Sequence, residues 1–315
     1  KPDFADRIAR ATVAGAMESL RSGVTCVGDI SQHVSITRPV LRDGPLRVVS
    51  LGEALGLARL RPRFEQQRVR ALDLSDESTF LRCGLSPHAP YTVDEPGLRE
   101  CVHDAVEARR PIAIHLAETA DEADFTSRLD GTFRLLWERI GSWQDDVPCP
   151  GVSPIELAER TGLLRAGALL AHVNHVDDAE LDLLARRPSS VVYCPRTHAY
   201  FGHPPHRWRE MLSRGINVAL GTDSRASNPD LDLMQELRLV CRLAPDLSAT
   251  ELLKLVTTNA ARAIGESSRV GALSAGLHAD FSVFPHAGHE PLETLLRDPL
   301  PCLETWIAAR RVFTA

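Results

Sequence analysis

The sequence predicts an α/β fold built on a parallel sheet, and three observations carry that prediction. Seven short apolar runs, rich in branched residues, alternate with helical segments along the chain. Several of the runs end in polar clusters that carry histidine or aspartate. No Gly-x-Gly-x-x-Gly follows any run, which argues against an open dinucleotide-binding sheet. A (β/α)8 TIM barrel is the leading architecture, and a doubly wound open sheet is the alternative.

The elements follow in order. Residues 8–20 are alanine-rich with helical spacing at positions 8, 11, 12, 16 and 20, and Gly23 lies just past the end as a helix stop. Residues 24–29 read as a buried strand. A helix is expected to begin near Pro39, and residues 46–51 form the next strand, running out near Glu53. Residues 59–76 are charged and read as helix; residues 81–85 form a strand that ends in Ser86-Pro87-His88-Ala89-Pro90-Tyr91-Thr92; residues 95–109 form a helix.

Behind Pro111, Ile112-Ala113-Ile114-His115 is a short buried strand, with Glu118 three residues beyond its histidine. Side chains alternate along a strand, so His115 and Glu118 share a face only if the chain turns between them. Residues 119–152 are irregular and carry Gly131, Trp137, Trp143, Pro148 and Pro150. Two readings stand for them: an active-site lid, or a surface excursion over an apolar patch.

Ser153-Pro154 with Glu156 reads as a helix start, and that helix ends at Gly162. Strands are expected at 168–172, 190–195 and 216–223, with helices at 177–186, 208–214, 231–243 and 249–264. Seven strands are one short of a barrel, and the chain begins on a helix, so the expectation is a barrel lacking its first strand in this chain. Residues 271–284 and 305–313 read as short strands of a small β-sandwich domain. The expected division is 1–270 for the barrel and 271–315 for the C-terminal part of the β-domain.

Composition sets outer bounds. The chain has 315 residues, 43% of them hydrophobic, and a net charge of −6, an ordinary globular balance that disfavours a nucleic-acid-binding surface. The seven cysteines are scattered with no Cys-x-x-Cys pair, which fits a reducing cytoplasm and excludes a disulfide framework or zinc knuckle. No apolar run is long enough for a membrane span.

The polar strand ends are the candidate site: His88, His115 with Glu118, His172, and Asp223 of Gly221-Thr222-Asp223-Ser224. Barrel strand ends converge on one mouth, and histidine and aspartate from separate strands there suit a divalent metal. Each residue also has a plainer reading. His88 could brace a Pro-rich loop, His172 could be a core histidine, and Asp223 could cap the next helix. Four such residues at the same end of successive strands favour the site.

At these residues the chain resembles the amidohydrolase superfamily, in its cytosine-deaminase-like, chlorohydrolase and nucleoside-deaminase branch. The matching segments are Gly23-Val24-Thr25 with Asp29, residues 86–92, His115-Leu116-Ala117-Glu118-Thr119, Ala171-His172-Val173-Asn174-His175, residues 221–224 with Ala226-Ser227-Asn228, and Asn259-Ala260-Ala261. The resemblance implies His115 and Asp223 as metal ligands, Glu118 as proton shuttle, and His172 as the group that polarises the attacking water or leaving group. It also implies Asp223 as acceptor of the water's proton, and His88 as a substrate contact. The implied cofactor is a divalent metal, zinc with iron as the alternative.

One departure matters. The family's His-x-His ligand pair occurs nowhere in this sequence, which implies an upstream strand outside the chain, or else a degenerate metal site. The implied reaction is deamination of an adenine-like nucleoside or other amino-heterocycle, releasing ammonia. A cyclic amidohydrolase, a chlorohydrolase and a non-catalytic barrel are the alternatives.

Residues 193–203 would line the mouth. Arg196 could pair with a substrate anion or make an ordinary salt bridge, and Glu53 is a further substrate contact. The expected partner is a small heterocyclic molecule, with no nucleic acid or membrane and with a homodimer left open.

Overall fold

Seven parallel strands follow one another in chain order around a curved wall. The computed structural model describes residues 3–286 and 289–315. Helix α1 (Phe4–Arg21) leads into β1 (Cys26–Ser31), α2 (Val34–Arg42) and β2 (Arg47–Ala54). After a 3-10 turn come α3 (Arg61–Ala71), β3 (Leu81–Pro87), α4 (Glu95–Glu107) and β4 (Ala113–Leu116). Helices α5 (Ala120–Arg128), α6 (Thr132–Arg139) and α7 (Pro154–Thr161) precede β5 (Leu169–His172), α8 (Asp178–Ala185) and β6 (Ser190–Tyr193). Helices α9 (Pro195–Phe201) and α10 (Trp208–Ser213) precede β7 (Asn217–Leu220), and α11 (Leu233–Leu243), α12 (Ala249–Lys254) and α13 (Thr258–Ala263) follow it.

The strands β1-β2-β3 pair in one group and β4-β5-β6-β7 in another. A parallel bridge between Leu85 and Ile112 joins the groups. Gly84 makes that junction possible, because a Cβ there would meet the carbonyl oxygen of Pro111 at 2.6 Å. The wall curls on itself. Ile30 of β1 and Ala219 of β7 share one apolar cluster with Val49, Leu51, Ala113 and Leu169, so the first and last strands face across a common interior. The alternate residues of the same strands, such as Leu85, Ile114, Leu170 and Val218, pack outward into the larger core under the helices.

The helix starts obey their local chemistry. Ser153, Asp177 and Ser248 each cap a helix reciprocally with a glutamate three residues on. Three expectations shift. The helix foreseen at Pro39 begins at Val34 and carries Pro39 inside it. It is held by Arg38, whose buried guanidinium donates to the carbonyls of Ser50, Ala71 and Gly84. The span 249–264 divides into α12 and α13, because Leu255 turns its carbonyl to the sheet instead of to the next helical turn. The irregular span 119–152 contains α5 and α6, which gather Leu57, Phe125 and Trp137 into a small apolar cluster.

That turn at Leu255 serves the edge of β7. On a parallel strand, alternate residues direct both N–H and C=O to the same side. Gly221 N–H bonds back to Tyr193, so Val218 and Leu220 face the free edge. Leu220 N–H bonds to the carbonyl of Leu255 at 3.0 Å, and Asn259 Nδ2 donates to the carbonyl of Val218 at 3.0 Å. Asn217 Nδ2 returns a bond to the carbonyl of Asn259. The edge is covered by the chain's own next segment. By contrast β1, the other end of the wall, has no fully buried residue, whereas every residue of β2 is buried.

Beyond the wall, β8 (Phe281–Val283), α14 (Pro291–Arg297), β9 (Glu304–Ile307) and β10 (Arg310–Thr314) include a three-stranded antiparallel sheet in the order β10-β9-β8. Within 271–284, strand structure is confined to β8, and α14 is an element the sequence pattern did not signal. Residues 1, 2, 287 and 288 of the expected two-part division lie outside the described residues. Arg47 of β2 and Asp280 form an ion pair at 3.0 Å with both side chains almost fully buried, which ties this sheet to the wall. Thr305 adds a bond to the carbonyl of Leu20 at the end of α1. No helix among the described residues is long and apolar enough to cross a membrane.

The edge cover gives a stability test. Asn259→Ala removes the donor to Val218 and leaves a buried carbonyl unpaired, which costs about 1–3 kcal/mol. Chemical denaturation should show that loss with an unchanged m-value. An unaltered midpoint would mean that Asn259 does not secure the edge.

Candidate active site

Every candidate side chain named from the strand ends lies at the C-terminal end of the wall. Glu53 is near the end of β2, His88 just past β3, and His115 near the end of β4. Glu118 follows β4, His172 closes β5, and Asp223 lies three residues past β7.

Two of these positions break strand alternation. In β4, Ala113 faces the interior and Ile114 and Leu116 face the outer core. Regular continuation would turn Ala117 inward and Glu118 outward. Ala117 instead takes a left-handed backbone with φ 51°, and its side chain joins the outer core. The turn brings Glu118 to the mouth, with Oε1 3.7 Å from His172 Nε2. In β5, His172 and Val173 are both left-handed, at φ 74° and 54°, and Val173 packs outward in its turn. Asp223 is left-handed as well, at φ 55°. Such values are uncommon for residues with a Cβ and cluster at functional sites.

The hydrogen bonds assign the imidazole tautomers. His115 Nδ1 lies 3.0 Å from the carbonyl of His88, so it carries the proton and Nε2 keeps a free lone pair. Thr92 Oγ1 donates to the carbonyl of Ala89, so it accepts from His88 Nδ1 at 2.8 Å and frees His88 Nε2. The rings of His88 and His115 are 5.1 Å apart, and those of His115 and His172 are 5.6 Å apart.

Burial drives the protonation states. It pushes His172 down to about 3, with His115 and other neighbouring histidines adding to the effect. It likewise pushes His88 down to about 3, with His115 contributing. Both imidazoles are therefore neutral at pH 7. Burial raises Glu118 above the usual carboxylate range; His115 offsets part of this, and Asp223 adds to it by repulsion. Glu53 is also raised, chiefly by burial. Asp223 accepts from Ser224 N–H at 2.7 Å and from Ser227 Oγ at 3.0 Å, which fixes its carboxylate.

Ligand atoms of Glu53, His88 and His115 lie within 4.8 Å of one another, the one such group among the described residues. Neutral imidazole nitrogens beside a carboxylate fit a divalent ion. The geometry thus adds His88 and Glu53 to the groups near His115, where the sequence had assigned them to substrate. Asp223 is not part of that group.

Arg196 is committed internally. Its Nε donates to Glu236 Oε1 and its Nη2 to Asp230 Oδ1, both at 2.6 Å, and its backbone N–H bonds to Glu236 as well. Of the two readings of Arg196, a substrate-anion partner or an ordinary salt bridge, the salt bridge is the arrangement present here. Asn228 Nδ2 completes this network by donating to Glu236 and to the carbonyl of Thr222, next to Asp223.

Sequence reasoning passed over three residues. Tyr91 stacks on Phe133 of α6 at 3.7 Å and meets His88 edge-on at 5.6 Å, linking the span 119–152 to the site. His206 donates from Nε2 to the carbonyl of His172 at 2.8 Å. Glu122 holds the backbone beneath Glu118. Tyr91 stood in the segment 86–92 without a role of its own, Glu122 is an acidic residue one helical turn beyond Glu118, and His206 left no local signal.

The sequence profile of the amidohydrolase family matches residues 4–299. A 5-methylthioadenosine/S-adenosylhomocysteine deaminase of Natronomonas pharaonis is 31% identical over 286 residues, covering 86% of this chain and 61% of that protein. The chain therefore spans about three fifths of the length of that relative. Among solved structures, a zinc-bound adenosine deaminase of Xanthomonas campestris matches with a TM-score of 0.83 at 23% identity, covering 98% of this chain and 70% of that one. An aminofutalosine deaminase of Helicobacter pylori matches with a TM-score of 0.84 at 22% identity, covering 97% and 77%. With its mouth of histidines and carboxylates on a parallel barrel wall, the chain belongs to the amidohydrolase family.

Proposed function

We propose that this chain carries the catalytic barrel of a metal-dependent aminohydrolase that deaminates an adenine-like nucleoside or related amino-heterocycle and releases ammonia. The observation that carries the reading is the pair formed by Glu118 and His172 beside His115, whose Nε2 is free. The deaminases of modified adenine nucleosides among its relatives support it. Residues 1–270 form the barrel unit in this proposal and 271–315 the C-terminal part of a small β-domain. A small-molecule nucleoside substrate fits the activities for which the relatives are named; a cytoplasmic location is part of the proposal, and a homodimer stays open.

His115 through Nε2 and Asp223 through its carboxylate would hold the ion, proposed as zinc with iron as the alternative. When bound, such an ion supplies an electrophile that makes water acidic near neutral pH. The remaining work falls to side chains. Asp223, oriented by Ser224 and Ser227, takes the proton of the attacking water. Glu118, its carboxyl raised by burial, retains a proton to higher pH than an exposed carboxylate and delivers it from Oε1 to a ring nitrogen. Its carboxylate then takes the proton of the adduct's hydroxyl as the carbonyl forms and passes it to the departing amine, and the proton held by Asp223 restores Glu118 for the next turnover. Neutral His172 hydrogen-bonds the incoming oxygen or the leaving group. His88 and Glu53 contact the substrate from the β2–β3 side. The residues around Glu118 exclude bulk water and keep its carboxyl matched to this task.

Three variants of the intact protein separate the roles. Glu118→Gln keeps shape and hydrogen bonding but cannot shuttle a proton, so metal content should be unchanged while kcat falls by about 10²–10⁴-fold. Near wild-type turnover with metal bound would remove Glu118 from the mechanism.

His115→Gln should lose metal along with rate, because a ligand has gone. His88→Gln should keep metal and raise KM. Metal analysis showing the reverse, with His88→Gln depleted, would transfer ligand duty to the Glu53–His88–His115 group.

The substrate class is tested by measuring ammonia release from adenosine, its 5′-modified analogues and other amino-heterocycles, using metal-replete protein. Release from the adenine nucleosides is the expected result. A metal-replete protein that liberates chloride from chlorinated heterocycles, and no ammonia from any of these, would replace the deaminase reading.

A further inference from the structure

We propose that Glu122 is a positioning residue whose buried carboxyl group clamps the left-handed turn at Ala117 and so aims Glu118 into the mouth. The role assigned to Glu118 rests on the deaminase reading; the clamp itself does not. Glu122 lies in the first turn of α5 and is fully inaccessible to solvent. Its two oxygens are divided between adjacent backbone donors. Oε1 accepts from Ala117 N–H at 2.8 Å, and Oε2 accepts from Glu118 N–H at 2.9 Å.

A strand end followed immediately by a helix leaves such N–H groups without a regular partner, and burial makes that costly. One carboxylate whose oxygens face neighbouring amides satisfies both. It also selects a backbone in which the two N–H groups point the same way, whereas an extended strand sends consecutive N–H groups to opposite sides. The left-handed φ of Ala117 supplies that geometry.

The opposite side of the turn is held too. His175 N–H bonds to the carbonyl of Ala117 at 3.0 Å, and Asn174 Nδ2 bonds to that of Glu118 at 3.1 Å. The Ala117–Glu118 peptide group is thereby held at both its C=O and its N–H. A buried acid on a structural helix would ordinarily have a cation beside it. Among the described residues none contributes to Glu122. Burial pushes its carboxyl up to about 8, the two backbone bonds partly oppose this, and Glu118 adds repulsion. A carboxyl group kept in such surroundings without a counter-charge has its function in the two backbone bonds it accepts.

The test compares Glu122→Gln, Glu118→Gln and the double variant in the intact protein. Glutamine is isosteric, but it turns one acceptor into an amide donor facing an N–H. Glu122→Gln should fold and keep its metal. Its kcat should fall by about 10- to 100-fold, the usual cost of removing a group that orients a catalytic residue from behind, with KM little changed. In the Glu118→Gln background the same substitution should cost nothing more, because a residue that acts only through Glu118 has nothing left to aim. A merely structural residue would give additive losses.

Amide hydrogen exchange at Ala117 and Glu118 supplies a readout independent of substrate. Both amides should be protected in the wild type and exchange faster in Glu122→Gln. Unchanged exchange, an unchanged kcat in Glu122→Gln, or additive losses in the double variant would each overturn the inference. If the wild type deaminates nothing, the deaminase reading fails while the exchange measurement still decides whether Glu122 clamps the turn.

Discussion

Left-handed backbone at the ends of β4 and β5 is the constraint on which the site depends. A strict alternation would send Glu118 and His172 into the outer core with Leu116 and Leu170. The left-handed residues Ala117, His172 and Val173 exchange the faces, so apolar Ala117 and Val173 pack outward while the two polar side chains reach the mouth. Each such residue costs on the order of 1–3 kcal/mol and persists only where its surroundings impose it. Here they do: Val173 N–H bonds to the carbonyl of Leu116, His206 donates to that of His172, and Glu122 gathers the amides of Ala117 and Glu118.

The polar groups that surround the mouth are held by buried networks, not by the wall alone. Asp223 lies on a loop that the sheet does not pair. Ser227 bonds to its carboxylate and to Thr197 of α9, which ties the loop after β7 to the helix after β6. The buried Glu236 does the same on a larger scale, joining α11 to Arg196 and to Asn228. Removing one member of such a network leaves the others desolvated and unpaired, which is where its stabilisation shows. On the far side, Arg38 joins α2, β2, α3 and β3 through carbonyl acceptors, and burial lowers its pKa without a carboxylate in direct contact.

Position along the wall also explains why the chemistry collects where it does. Elsewhere in the interior, Ala260, Ala263 and Ile264 of the α13 region pack against Val49, Leu51 and Leu169. That packing is apolar, and the same segment covers the β7 edge through Leu255 and Asn259. The C-terminal mouth is left for polar groups, with α5 and α6 alongside and the Phe133–Tyr91 stack against His88.

The sequence by itself determined the strand-and-helix order, because apolar period, glycine stops and capping pairs are local signals. Strands near 24–29, 46–51, 81–85, 168–172 and 216–223 were legible for that reason, as were the helix starts at Ser153 and Asp177. The histidines and carboxylates at the strand ends were legible as candidates because parallel strands bring those ends together. The need for a turn between His115 and Glu118 could also be stated from strand geometry. Only the tertiary structure decided how the turn is made and which other groups attend it. The partners of Arg196 lie 34 and 40 residues away, so its commitment to Asp230 and Glu236 left no local mark. Glu53 could be placed at a strand end but not beside His88 and His115, since that spacing depends on the curvature of the wall. The break between α12 and α13 answers an edge strand that no helical propensity reports. Glu122 shows the limit most directly: its value lies in two backbone amides left unpaired by a strand end, and unpaired amides are created by folding.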